Sequence, residues 1–263
     1  MFGKLLKYEL KSIGKWYFAI NLAILAIAGL LSATLKWLKF ESNTQNTTMK
    51  LLNQLLPLAL SLIFGALIAG SLLATLLIII NRFNKNVFGR EGYLTMTLPV
   101  SEHQIILSKL LSSLIWSFFN GIILVFATLI MLIPQISSSI LKMGMEKIGE
   151  FLSKHPTNSA LFLTSYFLSA IGGVLLIYLA ISIGQLFSNR RGLKAFIFYF
   201  LIAIATSLLF FFINIKIFNF SSNDTSQLFL PNYYFVIIVE SIFEIITFYF
   251  ATYGILKYKL NLQ

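Results

Sequence analysis

Six strongly apolar runs, each long enough to cross a membrane, dominate this 263-residue chain. They cover about residues 16–38, 55–80, 105–133, 160–187, 195–213 and 233–256. A hydrocarbon layer about 30 Å thick requires about 20 apolar residues in a helix. Membrane β-strands would be about ten residues long with alternating polarity, which these continuous runs lack. We therefore predict an all-α membrane protein, a polytopic bundle of six transmembrane helices that forms one transmembrane domain over residues 1–263.

The Lys and Arg residues divide unequally between the two membrane faces that six spans define. Thirteen of the 20 lie before the first span, around the loops that follow the second and fourth spans, or after the sixth span. The other seven are Lys36, Lys39, Lys50, Lys142, Lys147, Lys154 and Lys216. Cytoplasmic loops carry an excess of Lys and Arg, so we predict cytoplasmic termini and outward-facing segments at about 39–53, 134–159 and 214–232. Topology thus explains the net charge of +11, and nucleic-acid binding is not indicated.

The segment before the first span, "MFGKLLKYELKSIGKWYF", has the pattern of an amphipathic helix. Lys4, Lys7, Lys11 and Lys15 recur every three or four residues and form one basic stripe. We predict that this helix lies in the inner headgroup layer and contacts anionic membrane lipids. A specific contact with a partner protein is the alternative.

Residues suited to catalysis or metal binding are scarce. The chain has no cysteine, and its two histidines, His103 and His155, are expected in separate loops on opposite faces, each exposed to solvent. No phosphate-binding loop motif is present. We therefore expect no enzyme activity, no metal site and no cofactor in this chain. If ATP provides the energy, a partner must bind it.

Two carboxylates stand out inside the sixth span. Glu240 and Glu244 lie one helical turn apart and form, with Thr247 and two small residues further along, a polar stripe that we expect to face the bundle interior. Lys216 could neutralise them, and Asn214 could donate a hydrogen bond. A structural polar cluster and a role in a substrate or proton path both remain open for this stripe.

Small residues within the spans indicate close packing of helix backbones. Ser113, Ser117 and Gly121 recur every four residues in the third span, and the fourth contains Gly172 and Gly184. Packing within the bundle and packing between two copies fit this pattern equally.

The loop at 81–104 is the major polar segment between spans. Its sequence "GREGYLTMTLPVSE" contains a glycine-flanked turn and then a short apolar stretch that ends at Pro99. Ser101 and Gln104 have the spacing of a capping box that begins the next helix. An apolar stretch outside the bilayer requires a cover, which is either a partner protein or the inner headgroup layer.

Four short stretches resemble the ABC-2 family of ABC transporter permeases, the membrane subunits of Gram-positive bacterial exporters. They are the lead "GKLLKYELKS", the loop "FGREGYLTMTLPVSEHQIILSKLL", the turn "GQLFSNRRG" and the tail "LKYKLNL", and they extend from one end of the chain to the other.

The resemblance implies a function for the 81–104 loop. In that family the corresponding loop is a cytoplasmic coupling loop that docks on a cytosolic ATP-binding subunit. The role carries over to Gly89, Arg90, Glu91, Gly92, Tyr93, Leu94, Thr97, Leu98 and Pro99.

The family also implies the rest of the assembly. Two ATP-binding subunits bind ATP and Mg, a second copy or a related permease completes the channel, and the complex lies in the bacterial plasma membrane. Expected substrates are amphipathic peptides, lipid-like or drug-like molecules, in antimicrobial-peptide export or immunity.

A self-sufficient secondary transporter or channel that uses Glu240 and Glu244 is the alternative function. Such transporters are often built from repeated halves, and we find no internal duplication in this chain. An intramembrane enzyme is disfavoured because no nucleophile has a base nearby in the sequence pattern.

Overall fold

A computed structural model describes residues 2–11, 15–40, 47–89, 92, 101–216 and 231–259. Within these ranges the chain forms α-helices and no strand. The helices are α1 (Phe2–Lys11), α2 (Lys15–Phe40), α3 (Thr47–Phe83), α4 (Glu102–Leu132), α5 (Ser138–Lys154), α6 (Pro156–Gln185), α7 (Arg191–Lys216) and α8 (Pro231–Tyr258). A π-helix, Asn84–Phe88, extends α3, and a 3₁₀ turn, Ile133–Gln135, ends α4.

Six of these helices are long and apolar enough to cross a membrane, namely α2, α3, α4, α6, α7 and α8. The predicted fold class is therefore confirmed, and the chain is a multi-pass membrane protein. Six crossings place α1 and the end of α8 on the same membrane face, which we call the terminal face. The loops after α3 and after α6 lie on that face as well.

The ends of the helices follow local sequence signals. The Ser101 carbonyl accepts from the Ile105 amide, and its hydroxyl accepts from the Gln104 amide at 3.4 Å, so the predicted cap does begin α4. The N-terminal segment is helical as predicted, with Lys4 and Lys7 exposed. The exposed lysines fit the interfacial location, which stays a prediction.

The chain divides into two compact units that both draw on α3 and α4. The first comprises Leu10–Ile78 and Ile115–Glu150. Its core contains Ile24, Ala28 and Leu31 of α2, spaced at helical intervals, against Phe64 of α3 and Ala127 of α4. A second cluster of Tyr17, Ala74 and Trp116 lies nearer the terminal face, and the Tyr17 hydroxyl is 2.8 Å from Thr75 Oγ1.

The other unit comprises Met1–Glu9, Ile79–Leu114 and Phe151–Gln263, and α6 is its central helix. α6 packs against both α7 and α8 and buries Val174, Leu175, Tyr178 and Leu179. α7 buries none of its residues and has an apolar surface suited to lipid. At Gly184 the backbones of α6 and α7 come so close that an added methyl group would lie 2.7 Å from Ala195 Cβ.

The segment at 134–159, expected only as an outward-facing loop, contains the 17-residue helix α5. The search for long apolar runs did not predict α5, because its lysines and glutamates interrupt the apolar residues before they reach the length of a membrane span.

Candidate functional site

The candidate site is the described part of the 81–104 loop together with the residues that hold its two ends. Gly89 and Gly92 are described, whereas Arg90, Glu91, Tyr93, Leu94, Thr97, Leu98 and Pro99 lie outside the described residues. The Gly89 amide donates to the Asn84 carbonyl at 3.0 Å and closes the π-helix, and the Gly92 amide donates to the Gly89 carbonyl at 2.8 Å. The helical path of α3 and the π-helix therefore ends at Gly89, whose backbone is extended.

Both glycines are required by close backbone approach. A methyl group at Gly89 would lie 2.6 Å from the Lys85 carbonyl oxygen, and one at Gly92 would lie 2.3 Å from the Val87 carbonyl oxygen. Neither obstacle is a flexible side chain, so any other residue would force the turn open. This is a physical reason for the glycine-flanked turn in the sequence.

A buried ion pair fixes the two ends of the loop to α1. The carboxylate of Glu9 pairs with the ammonium of Lys109 in α4, and the side chains are only 10% and 2% exposed. The Asn86 side chain of the π-helix donates to the same oxygen of Glu9 at 3.4 Å. Among the described residues, the second Glu9 oxygen has no hydrogen-bond partner. α1, the π-helix and α4 thus meet at one carboxylate.

α6 contacts the same region through two side chains. The Tyr178 ring stacks on Phe83 with centroids 3.9 Å apart, and its hydroxyl lies 2.9 Å from Ser113 Oγ. At the end of α6, the Gln185 amide donates to Asn84 Oδ1 at 2.8 Å. The fourth span is therefore joined to the π-helix and to α4.

His103 joins the start of α4 to α8, which differs from its expected place as a solvated loop residue. It lies in the first turn of α4, its ring stacks on Tyr253 at 4.1 Å, and its Nδ1 is 2.6 Å from the Tyr249 hydroxyl. The expectation was wrong because α4 begins one residue before His103, at Glu102, and turns the His103 ring toward α8. His155 is exposed, as expected.

The intramembrane acids lie elsewhere in the same unit. Asn214 of α7 donates to Glu240 Oε1 at 2.9 Å, as the sequence suggested. Glu244 lies against α6, because a methyl group at Gly172 would be 3.4 Å from its Oε2. Within the described part of the chain no basic side chain pairs with either acid, so Lys216 does not take the role considered for it.

The residues of the predicted polar stripe differ in how far they are exposed. Glu240 and Glu244 are half-buried, and Thr247 is exposed. The buried face of α8 instead contains Ser241, Phe248 and Thr252. The hydroxyl oxygen of Ser241 lies 3.3 Å from that of Ser169 in α6. Glu240 and Glu244 flank the Ser241–Ser169 contact, because a small serine fits against α6 more closely than a charged side chain does.

Glu9 and Lys109 are the residues of this site that sequence reasoning missed. The available signal was a lysine inside the apolar run 105–133, which requires a counter-charge, and one acid within the basic lead segment. Nothing in a single sequence joins two positions 100 residues apart.

Comparisons with protein-family models, curated proteins and solved structures give no match for this chain. The resemblance to ABC-2 permeases therefore rests on the sequence motifs alone.

Proposed function

We propose that this chain is the transmembrane permease subunit of an ATP-driven exporter of the ABC-2 type. Two cytosolic ATP-binding subunits would bind ATP and Mg and perform the hydrolysis, and a second permease copy or a related permease would complete the complex. The cargo would be an amphipathic peptide, lipid-like or drug-like molecule, in antimicrobial-peptide export or immunity. The complex would lie in the bacterial plasma membrane with the terminal face toward the cytosol.

The observation that supports this proposal most is the anchoring of the 81–104 loop at both ends. Its first end, the π-helix, contacts Glu9 and Gln185, and its second end carries His103 and Lys109. A partner that moves the loop would displace α1, α4, α6 and α8 together, because the Glu9–Lys109 pair is buried and the other contacts are partly buried, which leaves little room for independent adjustment. Such an arrangement suits a permease whose energy comes from outside the membrane.

Cross-linking from the loop tests the proposal directly. The natural chain has no cysteine, so Leu94→Cys provides a single attachment point for a thiol-directed photo-cross-linker in native membranes. We expect an adduct with a protein that contains a phosphate-binding loop. Glu146→Cys in α5 is the matched control on the opposite face and should give no such adduct. Absence of an ATP-binding protein from the Leu94 adducts would refute the proposal.

The orientation is tested by the same variants in intact cells. A membrane-impermeant maleimide should label Glu146→Cys and should not label Leu94→Cys until the membrane is permeabilised. The reverse pattern would place the loop outside the cell and exclude any cytosolic partner for it.

A proton- or ion-coupled transporter is the second candidate, favoured by the two half-buried acids without a described basic partner. It predicts proton flux in liposomes that contain only this chain, and loss of that flux in Glu240→Gln and Glu244→Gln. The permease proposal predicts no such flux.

A further inference from the structure

Helix α5, Ser138–Lys154, has one apolar and one polar face. With 3.6 residues per turn, the apolar face consists of Ile140, Leu141, Met145, Ile148, Phe151 and Leu152. The opposite face contains Lys142, Glu146, Glu150 and Ser153. Met143 is the only large apolar residue of α5 outside this apolar face, and the division is typical of an amphipathic helix.

The apolar face of α5 is not packed on a protein core. Ile140, Met145 and Ile148 are 60%, 73% and 62% exposed, and α5 buries none of its residues. Contiguous apolar surface of this kind on a folded chain marks a site of interaction with another apolar phase.

The short links of α5 to α4 and α6 keep its apolar face close to the membrane. α4 continues through its 3₁₀ turn to Gln135, so only Ile136 and Ser137 precede α5, and only His155 separates it from α6. Because two extended residues cover at most about 7 Å, both ends of α5 must stay beside the ends of two membrane spans. A 17-residue helix is about 25 Å long, so α5 is tied at both ends along the face opposite the terminal face.

The charges of α5 fit a bilayer surface as well. Lys142, Lys147 and Lys154 outnumber Glu146 and Glu150 by one. A polar face that contains lysines lies toward phosphate headgroups, and an apolar face of this composition enters the boundary between headgroups and acyl chains to a depth of about 5–10 Å.

We propose that α5 is an interfacial helix that binds the phospholipid headgroup layer on the membrane face opposite the termini. Its apolar face contacts the first acyl carbons, and its polar face contacts water and headgroups. The proposal is independent of whether the chain works with an ATP-binding partner.

Single cysteines in the full-length chain test this placement. Ile148→Cys and Leu152→Cys report on the apolar face, and Lys142→Cys and Glu146→Cys are matched controls on the polar face with the same four-residue spacing. Each variant is labelled with an environment-sensitive fluorophore in nanodiscs of phosphatidylcholine and phosphatidylglycerol. Quenching by lipids brominated on the acyl chain is compared with quenching by aqueous iodide.

We expect lipid quenching to be several-fold stronger at Ile148 and Leu152 than at the control positions, and iodide quenching to show the reverse order. Equal iodide quenching at all four positions would mean that α5 stands in water and would overturn the proposal. Protection of Ile148 and Leu152 from both quenchers would mean that a protein surface covers the face, which would overturn it equally. Two independent positions on each face guard against a single variant that fails to fold.

Discussion

Two regions of α6, its C-terminal end and its middle, differ in the polar contacts that they make. In its C-terminal half, Tyr178 and Gln185 contact Ser113 and Asn84, beside the Glu9–Lys109 ion pair. Near its middle, at Gly172, α6 passes Glu244, and within the described residues that carboxylate has no basic partner. Glu9, near the terminal face, is thus buried and paired with a lysine. Glu240 and Glu244, further into the membrane, are only half-buried.

This difference indicates that the Glu9–Lys109 region stabilises the fold and that the region of Glu240 and Glu244 has another role. A buried ion pair with additional hydrogen bonds is costly to break and holds helices in a fixed arrangement. Half-buried acids without a cation contribute little to stability and are typical of groups that meet a ligand, an ion or water. We expect substitutions to separate the two regions by their effect on the free energy of unfolding.

The largest effect is expected from Lys109→Met. It leaves the Glu9 carboxylate buried without its counter-charge, and breaking such a pair typically destabilises a protein by about 3–5 kcal/mol. Equilibrium unfolding in mixed detergent and SDS micelles measures this loss. The double variant Glu9→Leu/Lys109→Met should recover most of it, because an apolar pair replaces the ionic one. A double variant as unstable as Lys109→Met would show that Lys109 acts through another contact.

The close contact at Gly184 should give the next largest effect. Gly184→Ala places a methyl group against the Ala195 backbone nitrogen and the Arg191 carbonyl at 2.8 Å, and overpacking of this kind costs about 1–3 kcal/mol. Gly173→Ala in the same helix meets nothing within 4 Å and is the control. It should be neutral or stabilising by up to about 1 kcal/mol. Equal effects at the two positions would contradict the close approach of α6 and α7.

A smaller loss is expected from Tyr178→Phe. The ring keeps its stack on Phe83, and only the hydrogen bond with Ser113 disappears, which is worth about 0.5–1.5 kcal/mol. Tyr166→Phe, on an exposed part of α6, should leave the unfolding curve unchanged. If the two variants behave alike, the Tyr178 hydroxyl does not contribute to the anchoring of the loop.

The smallest effect is expected from Glu240→Gln. Its side-chain oxygen can still accept from Asn214, and an uncharged amide is easier to place in the membrane than a carboxylate, so the free energy of unfolding should change by less than about 1 kcal/mol. The same substitution at Glu9 should be strongly destabilising because it removes the buried carboxylate charge that pairs with Lys109. If Glu240→Gln lowers the free energy of unfolding as much as Glu9→Gln does, the intramembrane acids have a charge partner.

The sequence predicted those features that depend on one local stretch. The six spans follow from run length and hydropathy, since the bilayer demands both. The cap at Ser101 followed from residue type and spacing. The Asn214–Glu240 hydrogen bond joins two helices, and it was considered because Asn214 lies near the end of the preceding span.

Features that depend on distant residues could not be predicted in this way. The Glu9–Lys109 pair joins positions 100 residues apart, and the place of His103 on Tyr253 depends on how α4 meets α8. The exposure of Thr247 could not be predicted either, because a polar stripe marks only the preference of α8, whereas the packing of Ser241 and Phe248 decides which side is buried.

ATP hydrolysis that co-purifies with the chain is the most direct test of the proposed association with an ATP-binding subunit. The tagged chain, extracted from native membranes in mild detergent, should carry an ATP-binding subunit and hydrolyse ATP. Leu94→Asp and Glu91→Arg should abolish both properties, whereas Glu146→Arg on the opposite face should keep them. A chain that purifies without any ATPase and moves protons or cargo unaided in liposomes would contradict the account.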